Sequence, residues 1–452
     1  MTTDVVILAA GQGSRMKSSL PKVLHPLAGK PMVSHVVAAA KAMDDVRLHV
    51  VVGHGAERVE EALAAEQVTF ALQREQKGTG HAVAQTLDQL GDGKVLILYG
   101  DVPLIQPETL KALMAKVDDQ HLGLLTVTVD NPSGYGRIVR DSNNRVTAIV
   151  EQKDASDAQK TIRECNTGIL ATTAASLKTW LPALSSDNAQ GEYYLTDIIA
   201  MAASEGIAIE TAEPASEHEV QGVNDRLQLA GLERIFQKGQ ADELMRNGAS
   251  LADPSRIDVR GSLSIGQDVK IDVGCIFEGD VVLEDGVEVG PYTLISNSRI
   301  GAGTVIAAHS VIEQAQVNGK AAIGPFARLR PGTVLEHGSR VGNFVETKNA
   351  HVGEGSKINH LSYVGDATLG ENVNVGAGTI TCNYDGVNKF RTEIGDNAFI
   401  GSNSALVAPA SIGKGATVAA GSTITERVSD DALAIARGRQ VEKNDWQRPS
   451  RK

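Results

Sequence analysis

Aromatic residues make up only 4% of this 452-residue chain. That scarcity fits a narrow interior filled by Val, Ile and Leu rather than one built on rings. There are three cysteines, Cys165, Cys275 and Cys382, scattered and without CxxC spacing. An odd, dispersed set excludes a disulfide framework and a cysteine-based zinc site. No apolar run approaches the ~20 residues a membrane-crossing helix needs, so no membrane partner is expected. The apolar residues 5–10 lack a basic leader and end in a Gly-rich loop, which reads as a buried strand and not a signal peptide. Positive charge is in deficit, with 43 Lys and Arg against 55 Asp and Glu and a net charge of −12. A nucleic-acid partner is therefore not expected, although local basic pockets remain open. These features point to a soluble, cytoplasmic protein, long enough for two or three domains.

What is present is a period of six. From residue 259 to 424 an aliphatic residue, or once Phe, returns at every sixth position, as in Val259, Ile265, Ile271, Phe277, Leu283, Val289 and Ile295. The register resumes after short adjustments, ending in Ile394, Ile400, Leu406, Ile412, Val418 and Ile424. Gly often follows the aliphatic residue. Six is neither a helical period nor that of a meander, and fixed self-similarity is the mark of a solenoid. Each hexapeptide reads as one short strand and a corner, and three make a coil of about eighteen residues. Roughly eight or nine such coils, ~4.8 Å apart, predict a prism about 40 Å tall.

The first half alternates expected strands (5–9, 49–52, 95–99, 124–129) with expected helices (32–42, 57–65, 80–90, 108–117). That pattern predicts a parallel sheet covered on both faces, with ligands beyond the carboxyl ends of its strands. After the first strand comes Leu8-Ala9-Ala10-Gly11-Gln12-Gly13-Ser14-Arg15, and then Pro21-Lys22. Gly11 and Gly13 would let backbone N–H groups approach a polyphosphate, and Arg15 and Lys22 would neutralise departing pyrophosphate. The loop is no P-loop, since no GK[ST] follows, and it lacks the third Gly of a dinucleotide fingerprint. The strand ending at Tyr99 runs into Gly100-Asp101, whose carboxylate either ligates Mg²⁺ or caps the next helix. Segments 73–80, 135–137, 166–168 and 192–197, with Glu151 and Asn224, are polar islands that could equally be satisfied loops. Residues 224–247 suit an amphipathic helix through Leu227, Leu229, Leu232, Ile235, Phe236 and Leu244. Asn224 or Asp225 would be its N-cap, and Gly239 is a possible break.

In the second half the informative places are departures from the repeat. The largest is Cys382 to Glu393, expected as a loop thrown out of a coil. His360 falls at an outward position two after Ile358, where an imidazole is either a general base or a surface residue with no task.

The motifs LAAGQGSRM…LPK, QREQKGTGHA, YGDVPL, GYGRI, NTGI, GEYYLTD and GVNDR resemble those of sugar-1-phosphate nucleotidylyltransferases. Joined to a hexapeptide solenoid holding NFVETKNA and GAGTITCNYDG, the chain resembles the bifunctional bacterial uridylyltransferase–acetyltransferases over nearly its full length. The resemblance implies a Rossmann-like α/β nucleotidyltransferase domain (1–226), a linker helix (227–247) and a left-handed parallel β-helix acetyltransferase domain (248–452). It implies acetylation of glucosamine 1-phosphate by acetyl-CoA, then uridylyl transfer from UTP to N-acetylglucosamine 1-phosphate. The product would feed peptidoglycan and lipopolysaccharide synthesis. In the first domain Leu8, Ala9, Ala10, Gly11, Arg15 and Lys22 would hold the UTP phosphates, with Gln73, Gly78 and Thr79 around the uracil. Tyr99 and Gly100 would join the substrate site, Gly136, Glu151, Asn166 and Thr196 would take the sugar, and Asp101 and Asn224 would hold Mg²⁺. In the second domain Arg330, Lys348, Tyr363, Asn374 and Lys389 would bind glucosamine 1-phosphate, with His360 as base. Ala377, Asn383, Tyr384, Ser402, Ala420 and Arg437 would line acetyl-CoA, and the basic tail from Arg437 onward would suit its phosphates. A homotrimer is also implied. Two rival readings are a nucleotidylyltransferase whose solenoid only assembles subunits, and a non-catalytic binding module.

Overall fold

Alternating runs of β-branched residues and helix formers build the first unit around strand β1, Thr3–Leu8. Its neighbours in chain order are β2 (Val46–Val52), β3 (Val68–Leu72), β4 (Lys94–Tyr99), β5 (His121–Thr128), β6 (Arg137–Arg140), β7 (Val146–Val150), β8 (Glu164–Thr173) and β9 (Ala208–Ala212). In this computed structural model, which describes residues 2–450, the sheet order is β9-β5-β8-β4-β1-β2-β3. Strands β4, β1, β2 and β3 run parallel. The wholly parallel sheet expected from the alternation is corrected by β8, which runs antiparallel to both β4 and β5. β8 carries the Asn166-Thr167-Gly168 island, and the pairing register shifts between Asn166 and Leu170. Polar residues at this irregularity hid a ten-residue strand. A hairpin, β6–β7, branches from the edge of β8.

The expected helices form as α1 (Met32–Lys41), α2 (Ala56–Ala62), α3 (Thr79–Ala84) and α4 (Pro107–Met114). α4 takes Gln106 as its N-cap, so the capping reading of Asp101 falls away. β1 lies between β2 and β4, so the chain leaves it to one side and then the other. The crevice beyond Leu8 and Tyr99, paired in register, is the switch point where open α/β sheets bind ligands.

Two compact units divide between Phe236 and Gln237, inside an unbroken helix Arg226–Arg246. The break that Gly239 made possible does not occur. Asp225 caps this helix, its carboxylate accepting from the N–H groups of Leu227 and Gln228 at 2.9 Å. Leu232 is 1% exposed but Leu227, expected on the apolar face, stands 85% exposed in the first turn.

The second unit is a parallel β-helix. One face counts eleven rungs, from Ser250–Leu251 to Leu433–Ala434. That exceeds the eight or nine coils expected, because coiling continues past both ends of the strict repeat. Ile271, Val289, Ile306, Ile323, Val341, Ile358, Val375, Ile400 and Val418 form one inward column, every member buried. Where the six-residue pattern lapses, threonines take the inward place. Thr347 pairs with Leu329 in the neighbouring coil and its hydroxyl meets that of Thr333 at 3.1 Å. Thr381 accepts from the Gly365 N–H at 2.8 Å and donates back to its carbonyl at 3.0 Å.

One corner bears a ladder that the six-residue pattern does not reveal. Tyr292, His309, Phe326, Phe344 and Leu361 occupy equal positions in successive coils, each with φ between 47° and 58°. The four rings stack with centroids 5.0–5.3 Å apart and interplanar angles of 7–13°. Left-handed backbone costs a non-glycine residue about 1–2 kcal/mol, and stacking of roughly 0.5–1.5 kcal/mol per pair offsets much of it.

Candidate active sites

The phosphate loop leaves β1 and bends through Gly13, whose φ of 62° only glycine adopts without cost. A Cβ at Gly13 would stand 2.5 Å from the Cβ of Lys22, so the loop closes this tightly only around glycine. Lys22 thereby reaches the end of β4, where its ammonium pairs with the Asp101 carboxylate. Asn224 Oδ1 accepts from Arg15 at 2.8 Å and lies 3.4 Å from Lys22. Four candidate residues from three distant segments thus meet at one point. With Asp225 capping the helix, the Asn224 side chain is left to face the two cations.

Two cavities open here. One, of about 250 Å³, is lined by Leu8, Ala9, Ala10, Gly11, Lys22, Gln73, Gly78, Thr79, Tyr99 and Asp101, together with Gln76 and Glu192. Gln73 is 3% exposed and held by the Gly78 carbonyl at 3.1 Å and His81 Nδ1 at 3.0 Å. The second cavity, of about 500 Å³, is more polar and holds Arg15, Gly136, Glu151, Asn166 and Asn224, and again Tyr99 and Asp101. Thr196 does not line it directly but donates to Glu151 at 3.2 Å. Gly100 stays in the backbone, its N–H bonded to the Leu8 carbonyl at 2.9 Å. Tyr99 and Asp101 are the wall common to both cavities.

Burial and the nearby carboxylates of Glu151 and Asp101 push the Tyr99 phenol up, against the lowering effect of a hydrogen bond with Thr79, so it stays neutral. Burial also raises Glu151, against the lowering effect of Thr196. Arg137 is no ligand despite its place in GYGRI. It is 1% exposed and spent on the Tyr135 carbonyl and, at 2.7 Å, Gln152 Oε1. Gln221 and Gln228 line the larger cavity and were not among the candidates, and so do Tyr135 and Gly222, whose motifs were singled out without a role for either. Gln221 and Gly222 immediately precede the VND run, which was the available signal. Among the described residues no cluster of three or more His, Cys, Asp or Glu could hold a metal. Asp101 and Asn224 instead offer two oxygens, a set that suits Mg²⁺ when phosphates and waters complete its shell.

In the solenoid His360 is exposed, and its Nδ1 lies 3.0 Å from Asn343 Oδ1 at the equivalent position one coil earlier. An oxygen acceptor there holds the proton on Nδ1 and leaves the Nε2 lone pair outward. Asn343 was not foreseen. Counting two residues past each inward aliphatic, Ala377, Ser402 and Ala420 continue the His360 column through three further coils. Small side chains make that corner a shallow track leading away from the imidazole. Arg437 stands at its far end, donating to the Ala420 carbonyl at 2.6 Å.

Around the next corner Arg330 and Lys348 follow Leu329 and Thr347 in adjacent coils, and Gly365 takes the same place in the next. Having no side chain, Gly365 leaves room for the Tyr363 hydroxyl, which a Cβ there would approach to 2.3 Å. The interruption forms as expected: Tyr384 and Lys389 bridge as a small antiparallel loop, with Asn383 buried at its base. Lys389 lies against Lys348, and this close like-charge neighbour holds its ammonium below the ordinary lysine range. Arg330 is paired with Glu346 at 2.8 Å. Asn374 stands apart, on the face before the corner between Lys357 and Phe399. The basic tail beyond Arg437 is exposed through residue 450, and Arg451 and Lys452 lie outside the described residues.

Residues 5–165 match the family described as MobA-like NTP transferase domain, and residues 391–426 match bacterial transferase hexapeptide (six repeats). The chain is 68% identical over 449 residues to a protein of Chromohalobacter salexigens called "Bifunctional protein GlmU", covering 99% of each chain. Proteins of the same name from Marinobacter nauticus (60%, 99% of each) and Pseudomonas putida (57%, 100% of this chain and 99% of the other) are similar throughout.

Proposed function

The chain belongs to the family of the bifunctional protein GlmU, and from that premise we propose that it is a bifunctional transferase. It acetylates glucosamine 1-phosphate with acetyl-CoA and then transfers UMP from UTP to the N-acetylglucosamine 1-phosphate formed. The proposed division is a uridylyltransferase domain at 1–226, a linker at 227–247 and an acetyltransferase domain at 248–452. Left-handed winding, a homotrimer, cytoplasmic location and a role in cell-wall precursor synthesis are part of the same reading.

The observation that carries the uridylyl half is the wall of Tyr99 and Asp101 shared by two cavities, with Lys22 and Arg15 above it. UTP would lie in the smaller cavity with uracil near Gln73, Gly78 and Thr79. The sugar would lie in the larger one against Gly136, Glu151, Asn166 and Thr196. A phosphate oxygen of the sugar phosphate attacks the α-phosphorus and pyrophosphate leaves, so no protein nucleophile is required. Catalysis then consists of alignment and charge neutralisation, the latter by Arg15 and Lys22. Mg²⁺ held by Asp101 and Asn224 would add to that neutralisation.

In the acetyl half Lys348, Lys389, Tyr363 and Arg330 would hold the sugar phosphate, with Asn374 as a further contact. His360 Nε2 takes a proton from the attacking amine as nitrogen bonds the thioester carbonyl and the CoA thiolate departs. Ala377, Ser402 and Ala420 would track the pantetheine arm, with Asn383, Tyr384 and Arg437 beside it. The test is one purified sample given acetyl-CoA, glucosamine 1-phosphate and UTP with Mg²⁺, following free thiol and pyrophosphate together. Both should appear, pyrophosphate after thiol. Pyrophosphate formed only from supplied N-acetylglucosamine 1-phosphate, with no thiol, would leave a single-activity enzyme with a passive solenoid.

A further inference from the structure

Asp366 lies among the acetyl-site residues without being one of the expected substrate ligands. It is 8% exposed and holds a φ of 48°, an uncommon backbone for a residue with a side chain. Asn349, Asp366 and Asn383 stand at the same position in three successive coils. Asn349 Nδ2 donates to one carboxylate oxygen at 2.7 Å, and Asn383 Nδ2 donates to the other. The second oxygen is also 3.9 Å from the Lys348 ammonium. Asn383 closes the interrupting loop, since its carbonyl accepts from the Phe390 N–H at 2.9 Å. That loop carries Tyr384 and Lys389.

Two ammonium groups, Lys348 and Lys389, therefore face each other with one buried carboxylate beside them. Burial alone would raise Asp366, yet the hydrogen bonds from Asn349 and Asn383, with the charges of Lys348 and Lys389, hold it low and ionised. The other polar groups here are Tyr363, which faces Lys389, and Arg330, spent on Glu346. An ionised Asp366 reduces the repulsion between the lysines while leaving net positive charge for a phosphate. It also ties the loop of Lys389 to the coil of Lys348.

We propose that Asp366 is a positioning residue for acetyl transfer: through Asn383 and the two lysines it holds Lys389 in place against the sugar phosphate. The proposal rests on the acetyltransferase reading above. In the full-length protein, D366N should raise KM for glucosamine 1-phosphate about tenfold with kcat changed less than threefold, a coupling usual for charged groups in contact. Uridylyl transfer on the same sample should be unchanged, and denaturant melting followed by a probe in the second unit should match wild type, which reports that the unit carrying Asp366 is folded. In a K389A background, D366N should add less than about twofold, because the lysine it acts through is gone. Should D366N fold poorly, Asn349→Gly keeps the left-handed backbone, removes one donor, and should raise the same KM roughly threefold. An unchanged KM in the folded variants, or a full tenfold effect persisting without Lys389, overturns the proposal. Wild-type protein releasing no thiol would instead overturn the acetyltransferase reading itself.

Discussion

Gly168 shows how one absent side chain shapes a site. Its φ is 87°, and a Cβ there would stand 2.6 Å from the Tyr99 ring, the wall common to both cavities. Gly168→Ala should strain the backbone by about 1–2 kcal/mol and push that ring aside. We expect uridylyl kcat/KM to fall at least tenfold with acetyl transfer unaltered, and equal loss of both would discredit the shared wall. Lys389 gives a prediction in pH. The close ammonium of Lys348 holds that of Lys389 below the ordinary lysine range, so the Lys389 cation is lost as pH rises through that lowered value. Sugar-phosphate kcat/KM should therefore decline at a lower pH than an ordinary lysine near 10.4 would give. Lys389→Arg stays charged and should remove this limb while leaving the substrate's own titration, and an unmoved profile would argue that Lys389 does not face the phosphate. Asp101 was legible because it ends a strand beyond a Gly-rich loop. Asp366 and Asn343 were not, because their partners lie 17 residues away along the chain and meet only once the coils stack.

At the scale of elements the solenoid was legible because an inward residue has one strict neighbour above and one below. Its side chains repeat with the coil, and the repeat is written in the sequence. What the pattern could not disclose was Thr347 and Thr381 as inward residues, since their hydroxyls are satisfied only by bonds across coils. In the first unit β8 stayed hidden for a related reason: its pairing is non-local and its middle is polar and irregular. Ile312, fully buried and far along the chain from His360, isolates the packing contribution. Ile312→Ala should cost about 2–5 kcal/mol in unfolding of the second unit and leave the acetyl-site KM values unchanged. Denaturant melting followed by a probe in that unit would check it. The aromatic ladder makes a sharper demand. Phe326 sits at φ 54°, stacked on His309 and Phe344. Both Phe326→Val and Phe326→Asn lose the stacking, but only the β-branched residue also resists left-handed backbone. Val should therefore be the more destabilising by roughly 1 kcal/mol, an unusual order for a half-exposed apolar position.

For the whole molecule the relevant fact is that each unit owns its core and its candidate site. The solenoid's buried cluster begins at Ala241, and the sheet's clusters end at Leu232. All lining of the two cavities falls before residue 229, and every acetyl-site candidate falls after residue 329. Two chemistries so separated should fail separately. His360→Ala removes the proposed base and should lower acetyl transfer by ~10²–10⁴-fold while uridylyl transfer persists. Asp101→Asn removes the carboxylate at the cavity wall and should do the reverse. The stronger consequence concerns the intermediate. N-acetylglucosamine 1-phosphate made at one site must become bound at the other, and either it enters solution or it does not. If it does, a mixture of the two variants should restore formation of the uridylyl product from glucosamine 1-phosphate, after a lag that shortens as the His360→Ala share rises. Failure of the mixture, with each variant still active in its own half reaction, would mean that the intermediate never leaves the molecule that makes it.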